Sequence, residues 1–113
     1  MKRILIKEEF VEITGDYIGA ILLEYLTNFE DVWTKKTADE ISEETMLGMS
    51  HQFIRKNLEL LEVKGFVNSR NSPVDRFDKT LQYRVDFEQI EEALHSKGYS
   101  YSEVLDIYEM ESR

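Results

Sequence analysis

The chain has 113 residues, 42% of them hydrophobic and 33% charged, with a formal net charge of −9 and no cysteine. That length suits one domain with a single modest core, and the composition is that of a soluble globular chain. Disulfides, thiolate zinc sites and thiol catalysis are excluded.

No apolar run has the length of a membrane span. The start, MKRILIKEEF, lacks a signal peptide's apolar stretch and cleavage site, so a cytoplasmic location is the default expectation. The acidity is uneven. Residues 1–34 carry three basic and seven acidic side chains, residues 35–84 nine against eight, and residues 85–113 two against eight. Within residues 51–84 the tally is seven basic to four acidic, or +3. A net-acidic chain disfavours nonspecific nucleic-acid binding by the whole surface, but the excess acid lies outside this central segment.

In chain order, Ile4-Leu5-Ile6 is expected as a short strand or an extended arm, and residues 8–11 as a brief turn of helix. Thr14 or Asp16 then caps a helix running to about Phe29. Ile18, Ile21, Leu22, Tyr25, Leu26 and Phe29 recur along it at helical spacing. Residues 33–36 cross to the next helix as a connector able to pair as a short strand with a later hairpin. Thr37 with Glu40 three residues on makes a capping box, and Ala38, Ile41 and Thr45 form its packing stripe. Gly48 sits where that helix must stop, Met49 offers an apolar plug in the turn, and Ser50 caps a second helix.

Placed about 100° apart, the residues of this second helix divide into two arcs. Phe53, Ile54, Asn57, Leu58, Leu60 and Leu61 form the arc expected to bury. His51, Gln52, Arg55, Lys56, Glu59 and Glu62 form the arc that meets solvent or a partner. Gly65 ends the helix. Two strands follow, residues 66–70 and 80–85, the second alternating Leu81, Tyr83 and Val85 with Gln82 and Arg84. Between them runs NSPVDRFDK, a polar loop with the only proline. Asp86 caps a helix carrying Phe87, Ile90 and Leu94 and stopped by Gly98, and Ser100 with Glu103 marks a last helix with Val104, Leu105 and Tyr108.

This order predicts an α+β, mainly helical fold: a winged helix-turn-helix with a two-stranded wing and extra C-terminal helices. It forms one domain over residues 1–113. The helix-turn-helix occupies about 37–64, the wing about 66–85 and the C-terminal helical extension about 86–113.

The runs WTKKTADEISEETMLGMS, IRKNLELLEVKGFV and DKTLQYRVD, with the GYS at Gly98, resemble small winged-helix proteins of Gram-positive phages and integrative mobile elements. The resemblance covers residues 33–99, and IRKNLELLEVKGFV and TLQYRVD are its most specific pieces. It implies a DNA-binding or replication-initiation protein of the replisome-organiser type. Members tend to carry a basic, aromatic wing; here that segment reads PVDRFDK, with Asp75 and Asp78 diluting the charge.

On this reading the polar arc of the second helix enters the major groove of double-stranded DNA. Arg55 and Gln52 are the base-reading candidates, because their planar ends make two-pronged contacts to guanine and adenine edges. Lys56 is expected at phosphate, and Ser50 and His51 at the helix start complete the set. In the wing, Arg70, Arg76 and Lys79 are the candidates for the backbone or minor groove, with Phe77 stacking or wedging. The plainer alternatives are a solvated helix face, favoured by Glu59 and Glu62, and a wing whose Phe77 folds back while Arg76 pairs with Asp75 or Asp78.

A homodimer is a further expectation, with Tyr99, Tyr101, Val104 and Tyr108 as interface candidates against intramolecular packing. Rival roles are a transcriptional regulator using the same helix, and a protein-interaction module whose acidic surface binds a replisome partner. Enzymatic readings find little. His51 and His95 fall in different elements, and glycines 15, 19, 48, 65 and 98 match no phosphate-binding spacing. A non-enzyme with no metal, cofactor or small-molecule substrate is expected.

Overall fold

Local capping chemistry sets where the helices start in the computed structural model, which describes residues 6–30 and 32–100. The expectations for Ile4 and Leu5, and for the last helix with Tyr101, Val104 and Tyr108, lie outside the described residues. The elements in order are α1 (Glu8–Thr14), α2 (Tyr17–Thr27), β1 (Thr34–Lys35), α3 (Ala38–Glu44), α4 (His51–Val63), β2 (Val67–Arg70), β3 (Gln82–Val85) and α5 (Phe87–Ser96). Of the two caps considered for α2, Asp16 holds the position, its Oδ1 accepting from the Gly19 N–H at 2.6 Å. Thr14 instead closes α1, donating its hydroxyl to the Phe10 carbonyl at 2.7 Å. Thr37 and Glu40 form the reciprocal box at 3.0 and 3.1 Å. Ser50 and Asp86 accept from the N–H groups of Phe53 and Gln89. Each cap satisfies a backbone donor that has no partner within its helix.

The turn between α3 and α4 has a clamp that the sequence reading did not foresee. Met46 and Gly48 both take left-handed backbone angles, φ 60° and 61°, which swing the chain back after α3. The buried Ser42 hydroxyl then donates to the Met49 carbonyl at 2.9 Å and accepts from the Met49 N–H at 2.8 Å. Met49 packs against the core as the apolar plug.

β2 and β3 form an antiparallel hairpin in the register Val67↔Val85 and Arg70↔Gln82, and β1 adds to the free edge of β3 with Thr34↔Tyr83. The sheet order is β1-β3-β2. Val67, Tyr83 and Val85 face inward, and Asn68, Arg70, Gln82 and Arg84 take the other side of the pleat. The core forms around α2, which packs against α1, α4 and β3. Ala20, Leu22, Leu23 and Leu26 of α2 meet Ile54, Leu58 and Leu61 of α4, with Ile90 and Leu94 of α5 in the same cluster. Each such aliphatic side chain contributes ~1.5–3 kcal/mol through burial.

The buried arc of α4 is narrower than predicted. Ile54, Asn57, Leu58 and Leu61 are buried, but Phe53 is 41% and Leu60 47% exposed. α4 packs on α2, α3 and β2, and these neighbours cover one side of the helix and leave the flank of Phe53 and Leu60 open. α2 carries one charge into the core: Glu24, whose carboxylate meets the Lys7 ammonium at 3.1 Å with both side chains under a tenth exposed. Burial pushes the Glu24 carboxyl up, and Lys7 opposes that shift. Among the described residues the protein is thus a mainly helical α+β fold of five helices and one three-stranded antiparallel sheet. No helix among them is long and apolar enough to cross a membrane.

Candidate nucleic-acid interface

The exposed side of α4 and the loop joining β2 to β3 enclose an open groove of about 470 Å³. His51 and Arg55 form one wall, Phe77 and Lys79 the other, and Leu81 and Tyr83 the floor. The start of α3 closes one end, where Asp39 joins Asp78 as the second acid of the lining. The helical period puts His51 and Arg55 one turn apart on the hairpin side of α4. The strand period puts Leu81 and Tyr83 on the inward face, beneath them.

Four candidates from distant parts of the chain, His51, Arg55, Phe77 and Lys79, therefore share one surface. Gln52 and Lys56 are exposed beyond its rim, on the outermost side of α4. Ser50 caps α4, so its hydroxyl already accepts a backbone hydrogen bond. Arg70 stands apart. Its Nε donates to Gln82 Oε1 at 2.7 Å and its guanidinium stacks 4.2 Å from the centre of the Trp33 ring, on the sheet face opposite the groove. The one-residue alternation of β2 turns it away from α4. Tyr99 packs against the core and donates its hydroxyl to Glu12 on α1, which raises its own pKa to about 12.

Charge on this surface is sorted by pairing. Lys35 binds Asp78 at 2.9 Å and Lys36 binds Glu44 at 3.0 Å. Arg55, Lys56, Arg76 and Lys79 form no ion pair among the described residues. Of the acids predicted to dilute the loop, Asp78 pairs outside it and Asp75 is bonded within it. The Lys35 ammonium, with the Thr80 N–H, holds the Asp78 carboxyl down at about 2. Asp75 Oδ1 accepts from the Phe77 N–H at 3.0 Å, and Arg76 lies over the Phe77 ring at 5.9 Å rather than against an acid. On α4, Glu62 Oε1 accepts from both the N–H and the hydroxyl of Ser69 at 3.1 and 2.9 Å, strapping the helix to β2. Glu59 is the carboxylate of the predicted polar arc without such a bond.

Arg55 lies against the Tyr83 hydroxyl, whose pKa burial raises while the Arg55 charge works in the opposite direction. Tyr83 and Arg55 thus sit together on the groove lining, a proximity beyond the strand packing that the alternation of Leu81, Tyr83 and Val85 implies. The alternation of Tyr83 with Gln82 placed it inward, but nothing local linked it to Arg55. Phe53, Leu60 and Val63 remain exposed on α4, Val63 at 85%. Set against family models, curated proteins and solved structures, the chain matches none of them.

Proposed function

We propose that this is a winged-helix, double-stranded-DNA-binding protein without enzymatic activity, in which α4 is the recognition helix and the β2–β3 hairpin the wing. The observation that supports it most is the convergence of two cations that form no ion pair among the described residues, Arg55 on α4 and Lys79 on the wing, around one groove in which Asp78 is held by Lys35 and Asp39 is the other acid. Arg55 and Gln52 read base edges, and Lys56, Arg76 and Lys79 meet phosphate. His51 stands at the helix start, where either contact is within reach. Arg70 supports the wing through Trp33 and Gln82 instead of touching DNA. A role in replication of a phage or mobile element, or in its control, rests on the sequence resemblance; a transcriptional regulator would use the same surface.

A second reading has its own support. The exposed Phe53, Leu60 and Val63 suit a protein contact, either with a second copy or with a replisome partner. Selection from a random duplex library at moderate salt separates the two. Enrichment of a motif that Arg55→Ala loses supports DNA recognition. Absence of enrichment, with no binding even at low salt, moves the assignment to a protein-interaction module.

A further inference from the structure

The wing tip presents two large apolar side chains to solvent, Val74 at 93% and Phe77 at 86% exposure. Both lie in the loop, close to Arg76 and Lys79, neither of which is ion-paired among the described residues. Loops ordinarily present polar residues, and an exposed aromatic beside cations suits a partner with flat apolar faces and surrounding negative charge. Stacked bases between phosphates have that character.

The loop is also braced from within. The Ser72 hydroxyl accepts from the N–H groups of Val74 and Asp75 at 3.3 and 3.0 Å. Asp75 accepts from the Phe77 N–H, and the Asp78 N–H donates to the Asp75 carbonyl at 3.2 Å. Asp78 in turn ties the loop to Lys35 on β1. These bonds engage the Ser72, Asp75 and Asp78 side chains within the protein, and Val74 and Phe77 project. Phe77 is continuous with the groove that holds Arg55 and His51, so a duplex engaged by α4 would meet the tip in its next groove.

We infer that the wing tip is a wedge: Val74 and Phe77 enter the minor groove beside the α4 contact and part a base step, with Arg76 and Lys79 holding the flanking phosphates. The protein would then distort its site as well as bind it, and would prefer flexible pyrimidine–purine steps, which unstack most easily. This inference rests on the DNA-binding reading above.

The test compares the duplex enriched by the library selection above, with a TA step placed beside the α4 site, with the same duplex carrying a single-nucleotide bulge at that step. 2-Aminopurine beside the step reports stacking, and anisotropy reports affinity at low salt. A bulge removes the cost of opening the step, so the wild-type protein is expected to bind the bulged duplex about tenfold or more tighter. It should also brighten 2-aminopurine in the intact duplex. The Val74→Ala/Phe77→Ala double variant, altered only at exposed positions, is expected to bind both duplexes equally and to leave the fluorophore dark.

Wild-type binding without brightening or bulge preference would overturn the wedge and leave the DNA-binding reading standing. Retention of both effects by the double variant would overturn it too. No enriched duplex from that selection, with no wild-type binding even at low salt, would remove the DNA reading and the wedge together, and would assign the apolar tip to a protein contact.

Discussion

At the scale of single residues, pairing decides which charges of the central segment are available. Three of the four acids in residues 51–84 have specific partners, Glu62 with Ser69, Asp75 with the Phe77 N–H and Asp78 with Lys35. Arg55, by contrast, lies against a neutral hydroxyl and faces the groove. Arg55→Ala is expected to cost ~1–3 kcal/mol of specific DNA affinity while leaving thermal unfolding essentially unchanged, which anisotropy and calorimetry would show. Asp78 makes a separate prediction. Its folded value is lowered, so its contribution is present above the unfolded carboxylate value and is lost only as pH falls through about 2. An NMR titration should place its midpoint near that value, and Lys35→Ala should return it toward an ordinary aspartate. An unchanged midpoint in that variant would show that the Thr80 N–H alone holds the shift.

At the scale of elements, the α3–α4 turn fixes the direction in which α4 presents its exposed side. Ser42 holds that turn by satisfying both backbone polar groups of Met49. Ser42→Ala leaves those groups without their partner in a buried setting, so a loss of ~1–3 kcal/mol in denaturant unfolding is expected. The cap residues were legible in the sequence because an Ncap and its N3 partner are only three positions apart. The Ser42–Met49 clamp was not, since a serine inside a helix carries no local mark of a turn seven residues ahead. The width of the buried arc on α4 was also out of reach: periodicity finds the centre of a face, and the packing neighbours set its edges.

At the scale of the whole molecule, α2 joins the elements and Lys7–Glu24 is the charge pair inside that junction. Lys7→Met would leave Glu24 buried without its counter-charge, and breaking such pairs typically costs ~3–5 kcal/mol. The raised Glu24 value fixes the sign of the pH effect. A carboxyl raised in the folded state favours folding when protonated, so the penalty in Lys7→Met should be largest near neutrality. It should shrink as pH falls through the folded Glu24 value. Unfolding curves of both proteins from pH 7 to pH 4 would check this, and a pH-independent difference would count against it.

Among the described residues, what the sequence by itself determined was the order and type of the elements from α2 to α5, the caps of α3, α4 and α5, and the inward residues of β3. Those features depend on neighbours within about four positions, or on a repeat of two or 3.6 residues, and so are written locally. The set of groove candidates from α4 was also visible there. Only the tertiary structure decided that Phe77 and Lys79 join Arg55 and His51 while Arg70 turns to Trp33. It likewise decided that Lys35 occupies Asp78 and that Phe53 and Leu60 stay open. These outcomes join residues tens of positions apart. The energy of such contacts depends on which surfaces the fold brings within a few ångströms, and no local pattern encodes that distance.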